Sequence, residues 1–370
     1  MYLSKLSLIN FKNYAEISLE PGLRVNCFTG NNGVGKTNIL DAIHYLSLCK
    51  SYFHTPDTQI IRHNEPFFVI QGEYVVSGSS ENIYCGVKRG AKKNFMRNKK
   101  EYERLSEHIG LLPVVMISPS DSALVWEGGE ERRRWINEVI SQYDVAYLSD
   151  LQSYNRVLSQ RNALLKKDAE SGTMSSELLY VFNEQLTAYG VNIYEKRVEF
   201  VKELSPLFQE FYNFISSGNE EVALVYNSAL NERTFTEILE ESEAKDRYVL
   251  YTSCGIHRDD LVFTMQSYPV KRVGSQGQQK TYLTALKLAV YEFMKSRSKV
   301  TPILLMDDIF DKFDIHRVKK VLQLVSDNRF GQIFITDTHT DRMSEALDST
   351  GGQAKIFEVS GNNISVLNEA

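Results

Sequence analysis

The sequence is poor in the residues that hold disulfide-bonded or metal-bound folds together. Its 370 residues include four cysteines, and no two of them have the spacing of a CxxC or another metal-ligand pair. Disulfide scaffolds and zinc folds use closely spaced cysteines. We therefore expect buried or free thiols in a reducing compartment at Cys27, Cys49, Cys85 and Cys254.

Long apolar stretches and an excess of positive charge are also missing. The longest apolar runs, such as Pro302–Met306, are far shorter than the roughly 20 residues that span a bilayer. Residues 1–14 lack the apolar core of a signal peptide. We expect a soluble, cytoplasmic and unanchored protein. Because the formal net charge is -5, any binding to nucleic acid must come from a local basic patch.

Strand-like and helix-like patterns alternate along the chain. Phe67–Val76 and Ile83–Lys88 are rich in β-branched and aromatic residues, which predicts an antiparallel hairpin. Between Pro119 and Pro206, apolar residues recur at steps of three and four, which predicts amphipathic helices with a turn at Gly172. A further helix is expected at 278–295. Further strands are expected at 3–9, 23–29, 111–118, 248–252, 302–306 and 332–336.

This order predicts an α/β nucleotide-binding domain that is interrupted by a helical insertion, so that its two halves come from the two ends of the chain. We expect the N-terminal half at residues 1–118, the inserted helical lobe at 119–247 and the C-terminal half at 248–370. The acidic stretch 217–246 is expected to be a solvated face or a loose connector.

A complete phosphate-binding loop, GxxxxGK[ST], spans Gly30–Thr37 between a predicted strand and a predicted helix. Its glycines let backbone N–H groups surround phosphate oxygens, and the helix N-terminus adds partial positive charge. Lys36 is expected to reach the β- and γ-phosphates of ATP, and Thr37 to bind Mg²⁺. The predicted ATP contacts are Gly30, Asn31, Asn32, Gly33, Val34, Gly35, Lys36, Thr37 and Asn38.

The apolar run Ile303–Met306 ends in Asp307 and Asp308, which is typical of a Walker B strand. Buried parallel strands present their C-terminal ends at the nucleotide crevice. Asp307 is predicted to hold the Mg²⁺ shell. Asp308 is predicted to orient or deprotonate the attacking water, with Lys36 as the second catalytic residue. Taken alone, the pattern also fits a strand that ends in a solvated turn.

The segment Ser275–Gln279 resembles the signature motif of the ABC superfamily, whose transporter form is LSGGQ. A serine hydroxyl and a glycine N–H at a helix N-terminus form an anion site, although Ser275 also fits an ordinary helix cap. In relatives, the signature of one subunit covers the γ-phosphate that the other subunit binds. The resemblance therefore implies an ATP-bound homodimer in which the residues acting in trans are Ser275, Gln276, Gly277 and Gln278.

Other ABC elements are less regular in this sequence. Asp311–Asp314 resembles the D-loop, and His339 is either the switch histidine that senses the γ-phosphate or a plain surface residue. No glutamine marks a Q-loop, and Ser118–Asp121 stands where that loop is expected. The sequence leaves open which residues couple the lobes.

These motifs, in this order, resemble the RecF family of bacterial recombination-repair ATPases along nearly the whole chain. The resemblance also rests on Leu8–Tyr14, Ser118–Ser120 leading to Glu131–Trp135, Tyr154–Leu165 and Gly255–Asp260. It implies an ABC-type head like those of SMC chromosome proteins, in which a short helical lobe replaces the long coiled coil.

The resemblance also implies a function. It implies ATP-dependent dimerisation on duplex and gapped DNA, slow DNA-stimulated hydrolysis, and assistance to recombinase loading at gaps and stalled forks during repair, replication and the SOS response. RecR and RecO are the implied partners. The alternative is an ABC-type ATPase that serves as a structural or defence-complex clamp with another partner. A transporter engine fits the helical lobe poorly.

One local patch is basic enough to contact DNA. Residues 88–104 contain eight basic residues against two glutamates, which suits contacts to a phosphate backbone but also fits a solvated hairpin tip. Arg132–Arg134 is a second candidate, with salt bridges as its alternative role, and His257–Asp260 is expected to form a structural ion-pair network. The DNA-contact candidates are Lys88, Arg89, Lys92, Lys93, Arg97, Lys99 and Lys100, with Arg104 beside them.

Overall fold

The computed structural model describes residues 1–173, 175–218, 220–310, 313–326, 329–338 and 354–369. Contacts divide the chain into two compact units. The first comprises residues 1–122, 211–218 and 276–370, and the second comprises 123–210 and 219–275. This division falls at 275/276 and not at 247/248, because strand Asp260–Met265 pairs with Val222–Asn227 inside the second unit.

The first unit carries most of the strands. Its strands are β1 (Tyr2–Phe11), β2 (Tyr14–Leu19), β3 (Val25–Thr29), β4 (Phe67–Val76), β5 (Ser79–Lys88), β6 (Asn94–Arg97), β7 (Lys100–Glu101), β8 (Val114–Ile117), β12 (Ile303–Met306), β13 (Ile333–Asp337), β14 (Ala354–Ser360) and β15 (Asn363–Glu369). Those of the second unit are β9 (Val222–Asn227), β10 (Asp260–Met265) and β11 (Tyr268–Pro269).

The helices follow the same division, except for one long helix that passes from the second unit into the first. They are α1 (Lys36–Leu48), α2 (Asp57–Ile60), α3 (Ala123–Trp126), α4 (Gly129–Ser141), α5 (Val145–Ser171), α6 (Ser176–Ser216), α7 (Phe235–Val249), α8 (Val270–Val273), α9 (Gln276–Arg297) and α10 (Ile315–Ser326). None of the helices in the described ranges is long and apolar enough to cross a membrane.

A six-stranded sheet in the first unit positions the predicted nucleotide motifs. Its order is β15-β14-β3-β13-β12-β8, and every neighbouring pair is parallel except β14 with β15. The loop after β3 and the carboxylates after β12 therefore leave the same edge of the sheet, where ligands bind in open α/β folds. The predicted α/β class is confirmed.

Helix α1 lies between this sheet and an antiparallel sheet of order β2-β1-β4-β5-β6-β7. The predicted hairpin of Phe67–Val76 with the following strand is confirmed. Helix α1 is apolar around most of its circumference, and Ile39, Leu40 and Leu46 are fully buried. Burying such a side chain contributes about 1.5–3 kcal/mol. The apolar contacts on both sides hold the helix that starts in the phosphate-binding loop.

The second unit is built from helices α4 to α7 and the short sheet β11-β10-β9. Asp144 caps α5 by accepting a hydrogen bond from the backbone N–H of Tyr147 at 2.9 Å. Gly172 ends α5 with a left-handed φ of 65°, which confirms the predicted turn. Two arginines, Arg161 and Arg197, are fully buried in this unit and organise its polar contacts.

The strand expected at 248–252 and one of the two alternatives for the acidic region were wrong. Residues 248–252 do not form a strand, because α7 continues to Val249 and Leu250 ends it in a left-handed conformation. The stretch 217–246 is not a loose connector, since it contains β9 and most of α7. Most of its acidic residues are exposed, which agrees with the expected solvated face, while Asp246 is fully buried and pairs with Arg161.

Candidate nucleotide site

The loop between β3 and α1 is held by its own lysine. The ammonium of Lys36 donates hydrogen bonds to the carbonyl oxygens of Gly30 and Asn31, at 2.8 and 2.9 Å. Only 4% of Lys36 is exposed, so its charge is confined to the concave side of the loop. A buried cation at the N-terminus of a helix is suited to bind phosphate oxygens.

The turn between β1 and β2 supports the loop from outside. The side-chain amide of Asn13 donates to the carbonyl of Val34 at 2.9 Å, and the Tyr14 hydroxyl donates to that of Gly35 at 3.0 Å. Asn38 donates to the Asn13 side chain at 2.7 Å. Sequence reasoning placed Asn38 among the ATP contacts but missed Asn13 and Tyr14. In the sequence, these two residues were marked only by their position in Leu8–Tyr14, one of the segments that resemble the family.

Glycine is required at two positions of this loop. At Gly30, whose φ is 144°, a Cβ would lie 2.4 Å from the carbonyl oxygen of Val359. At Gly35, whose φ is 114°, a Cβ would lie 2.5 Å from the amide nitrogen of Asn13. Any side chain would therefore combine backbone strain with a steric clash.

Asp307 accepts hydrogen bonds from three hydroxyl groups at the edge of the parallel sheet. Thr37 and Thr336 donate to its Oδ1 at 2.7 and 2.8 Å. Ser118 donates to its Oδ2 at 3.4 Å. Burial raises the pKa of Asp307, while these hydroxyls and the charge of Lys36 act in the opposite direction.

Asp308 adopts an uncommon backbone conformation. Its φ is 42°, in the left-handed region, and its backbone N–H donates to the hydroxyl of Thr336 at 3.0 Å. Non-glycine residues in this region cost about 1–2 kcal/mol and are concentrated at functional sites. The bend directs the chain away from β12 immediately after Asp307.

The residues present fit Mg²⁺–ATP. Mg²⁺ prefers oxygen ligands and is usually held by one or two carboxylates together with substrate phosphates. Thr37 and Asp307 provide a hydroxyl and a carboxylate in contact, beside a glycine cradle that a Cβ would fill. Across the described ranges, no group of three or more His, Cys, Asp or Glu side chains forms a metal cage of its own.

The signature segment precedes and opens α9, which begins at Gln276 and extends the predicted helix by two residues at each end. A Cβ on Gly277 would lie 2.8 Å from Nη1 of Arg317, so this guanidinium lies against the signature backbone. The ammonium of Lys280 lies over the ring of Phe313, 4.9 Å from its centroid. The action of Ser275–Gln278 on a second copy stays a prediction.

Ser118–Asp121 stands beside the Walker B aspartate, as the sequence order suggested. Ser118, the first residue after β8, donates a hydrogen bond from its hydroxyl to Asp307. Asp121 accepts from the backbone N–H of Ser118 at 2.8 Å. The candidate switch residue His339, and Asp311 of the D-loop, lie outside the described residues.

Three of the DNA-contact candidates have partners within the protein, of which Arg89 is exposed and donates from its guanidinium to the carbonyl of Glu65, at 3.3 Å. Lys93 pairs with Asp57 at 2.9 Å and also donates to the carbonyl of Cys49. Arg97 donates two hydrogen bonds to Glu81, at 2.6 and 2.8 Å, which lowers the pKa of that carboxyl group. These two contacts favour a structural role for both cations.

Apart from Lys93 and Arg97, the candidates are exposed, and those of residues 88–100 lie at the two ends of β6. Because β6 has four residues, its ends are about 10 Å apart at the rise of a β-strand, so these candidates form two neighbouring basic clusters. The first cluster comprises Lys88, the last residue of β5, with Arg89 and Lys92 in the turn that follows it, and the second comprises Lys99, in the turn after β6, and Lys100, the first residue of β7. Arg104 is exposed and follows β7, which runs antiparallel to β6 and therefore away from Lys99.

The three consecutive arginines of α4 form salt bridges and hydrogen bonds within the second unit. Arg132 donates to both carboxylate oxygens of Asp260, at 2.8 and 3.0 Å. Arg133 donates to the carbonyl of Asp259 at 2.6 Å. Arg134 pairs with two glutamates of its own helix. These contacts favour the salt-bridge role over DNA contact.

The segment that contains His257 is held in a buried polar network, as expected. Arg197 donates to the carbonyl of Ile256 at 2.9 Å. His257 hydrogen-bonds the Tyr154 hydroxyl at 2.8 Å and the carbonyl of Thr252 at 3.1 Å. Burial lowers the pKa of His257 to about 4, so the ring is neutral near pH 7.

Comparison with known proteins agrees with this architecture. Residues 2–359 match the model of the family described as RecF/RecN/SMC N terminal domain. The DNA replication and repair protein RecF of Bacteroides fragilis is 46% identical over 370 residues, covering 100% of this chain and 99% of the relative. That of Flavobacterium johnsoniae is 48% identical over 359 residues, covering 97% and 100%.

The chain belongs to the RecF family.

Solved structures extend the match to three dimensions. The ATP-bound recombination mediator protein RecF of the RecFOR pathway has a TM-score of 0.89 and 29% identity, covering 99% of this chain and 98% of that one. An Smc head domain from Pyrococcus furiosus has a TM-score of 0.58 at 18% identity, covering 99% and 96%, and supports the fold alone. The head is therefore of the ABC type found in RecF and SMC proteins.

Proposed function

We propose that this protein is an ATP-dependent DNA-binding protein of recombinational repair. In this proposal it dimerises on ATP and duplex or gapped DNA, hydrolyses ATP slowly, and assists recombinase loading at gaps and stalled forks with RecR and RecO. The observation that carries the proposal is the contact of Thr37 with Asp307 beside the glycine loop, in a chain that shares 46–48% identity with RecF proteins. Its substrate, chromosomal DNA, argues for a cytoplasmic location.

Different residues of one chain have different roles in binding and hydrolysing ATP. Lys36 and the N–H groups of residues 30–38 bind and orient the phosphates. Thr37 and Asp307 would hold Mg²⁺, which neutralises phosphate charge when bound. Asp308 accepts a proton from, or orients, the attacking water. Ser275–Gln278 of a second copy would cover the γ-phosphate and exclude water, so turnover requires two subunits.

DNA binding would use the two exposed clusters of the β5-β6-β7 region. Lysines and arginines contact phosphates without reading sequence, so affinity should fall steeply with salt. Each cluster contributes an independent part of that dependence. Loss of two or three cations should reduce the slope of log affinity against log salt by about 0.9 for each lost phosphate contact.

The central experiment measures ATP turnover per subunit against protein concentration, with and without duplex DNA, beside Lys36→Ala. The proposal expects turnover to rise with concentration and with DNA, and to vanish in the variant. Turnover independent of both would refute it. For the DNA surface, the triple variant K88A/R89A/K92A and the double variant K99A/K100A are compared with K93A, whose lysine is engaged by Asp57. K93A should leave the slope of log affinity against log salt unchanged.

The clamp alternative is less well supported, because full-length relatives of 46–48% identity carry the RecF name and match both ends of the chain. A structural clamp predicts that ATP binding without DNA gives full assembly. The experiment with and without DNA therefore separates the two functions.

A further inference from the structure

A buried lysine ties the signature helix α9 to the edge of the parallel sheet. The ammonium of Lys287 pairs with Asp121 at 2.7 Å and donates to the Tyr52 hydroxyl and the Met116 carbonyl, both at 3.0 Å. Its side chain is 4% exposed and that of Asp121 is 5% exposed. All of these residues belong to the first unit.

The carboxylate of Asp121 continues this connection to the Walker B aspartate. Its second oxygen accepts from the backbone N–H of Ser118 at 2.8 Å, and the Ser118 hydroxyl donates to Asp307 at 3.4 Å. Asp307 in turn accepts from Thr37. A displacement of Asp307 is therefore transmitted through Ser118 and one carboxylate to α9.

A second connection runs through the helix of the phosphate-binding loop. The Tyr52 hydroxyl donates to Asp121, and the backbone N–H of Tyr52 donates to Asp41 of α1 at 2.8 Å. The ring of His44, also on α1, packs edge-on against Tyr52 with centroids 5.0 Å apart. Asp121, Lys287 and Tyr52, the coupling triad, thus contact α1, the loop after β8 and α9 together.

The energetics of such a triad favour a positioning role over a purely stabilising one. Removing two charges from water costs several kcal/mol per ion, and an apolar pair of similar volume is often as stable. Buried polar networks fix one arrangement of the elements that they join, because partial satisfaction is costly. The triad lies where three elements of the nucleotide site meet.

We propose that the coupling triad transmits the state of the ATP site to the first turns of α9, and so sets the position of the signature. The inference rests on the proposed ATP-dependent function. It names Lys287, Asp121 and Tyr52 as positioning residues, which act through Ser118 and α1.

The test is hydrogen exchange measured by mass spectrometry, with and without Mg²⁺–ATP. The double variant K287M/D121N removes the charges as a pair, and Tyr52→Phe removes one hydroxyl in case the double variant unfolds. Lys295→Met is the control, because it makes the same substitution on the outer side of α9, where 33% of the side chain is exposed. Turnover and ATP affinity are measured on the same samples.

In the wild type and the control, ATP should slow exchange in residues 30–40 and in residues 276–283. In the triad variants only the first region should respond, ATP affinity should stay within about twofold, and turnover should fall about tenfold, within the usual range of site coupling. If residues 276–283 respond normally in both triad variants, or do not respond in the wild type, the inference is wrong. A lower Tm with normal turnover would also overturn it. If the protein does not act as a dimer, wild-type turnover per subunit will be independent of protein concentration. This result is distinct from the hydrogen-exchange outcomes above.

Discussion

Thr37, the second residue of α1, donates its hydroxyl hydrogen to Asp307 after β12 at 2.7 Å, although 270 residues separate them in the chain. Strand β13 lies between β3 and β12, and its Thr336 bonds the same carboxylate oxygen. Three parallel strands therefore deliver one hydroxyl, one carboxylate and one further hydroxyl to the same point. This convergence gives an oxygen-rich site for a hard cation.

Asp307→Asn should make the protein more stable and less active. Burial raises the pKa of Asp307 above its ordinary value, so ionising it costs folding free energy once the pH exceeds its folded-state pKa. At pH 7 the variant should therefore have a higher Tm, and the gain should shrink as the pH falls through that pKa. Turnover should fall at least about a hundredfold, since the proposed metal ligand is neutralised.

The control for this change is Asp314→Asn, measured by the same thermal unfolding. The pKa of Asp314 is lowered, first by its hydrogen bond from the Arg317 backbone, so its charge stabilises the fold above its ordinary pKa. Neutralising it should lower the Tm or leave it unchanged. An equal rise of the Tm in both variants would show that the burial of Asp307 does not cause the stabilisation.

Gly35→Ala should abolish ATP binding. The new Cβ would meet Asn13 and Tyr14 and would also require a φ of 114°. Gly78→Ala is the matched variant, because Gly78 has a φ of 83° with open space around its Cβ and lies outside the loop. Both should lose about 1–3 kcal/mol of stability from backbone strain, but only Gly35→Ala should lose binding of a fluorescent ATP analogue. Normal binding by that variant would contradict the role given to Asn13 and Tyr14.

Acid should destabilise the protein between about pH 6.5 and pH 4. Burial lowers the pKa of His108 to about 4, and the same holds for His257. A lowered histidine pKa stabilises the fold above the unfolded value near 6.5, and this contribution is lost as the pH falls toward 4. Each ring accounts for up to about 3 kcal/mol by this linkage.

The measurement is thermal unfolding at a series of pH values for the wild type, His108→Gln and His257→Gln. Each variant should be less stable at pH 7 and should lose less stability on acidification. His63→Gln, at an exposed histidine, should follow the wild-type profile. Parallel profiles for all four proteins would exclude the buried rings as the cause.

Arg161→Met should lower the free energy of unfolding of the second unit by more than the loss of an exposed ion pair does. Arg161 and Asp246 are both fully buried and 2.8 Å apart, so removing the cation leaves an uncompensated carboxylate at a cost of about 3–5 kcal/mol. The double variant R161M/D246N should recover part of that loss. Arg233→Met, which breaks an exposed pair with Glu241, should cost less than about 1 kcal/mol in urea unfolding.

The sequence predicted the parts of the site that are local in the chain. Gly30–Thr37 and Met306–Asp308 form continuous segments whose chemistry follows from their own spacing. Asn13 supports the loop through a contact that no spacing reveals, and the Lys287–Asp121 pair joins residues brought together only by folding. These contacts depend on how the two sheets and α1 pack, so the sequence alone did not predict them.

For the basic region, the sequence suggested a feature that the structure does not show. A count of charges along residues 88–104 suggested one patch, because a sequence shows neither Glu81 beside Arg97 nor the direction in which a hairpin turns. The prediction of a strand at 248–252 was wrong for a similar reason. Its aromatic residues match a strand pattern, but Asp246 and Leu250 complete the end of a helix.

The strand order of the parallel sheet has a consequence for synthesis on the ribosome. Strand β3, which precedes the phosphate-binding loop, pairs with β13 and β14, whose residues are made roughly 300 positions later. Until those strands emerge, a nascent chain exposes the edges of a highly apolar strand, and such non-local pairings form slowly. A truncated translation product would therefore carry the phosphate-binding sequence without a folded nucleotide site. We expect such fragments to depend on chaperones and to bind no ATP.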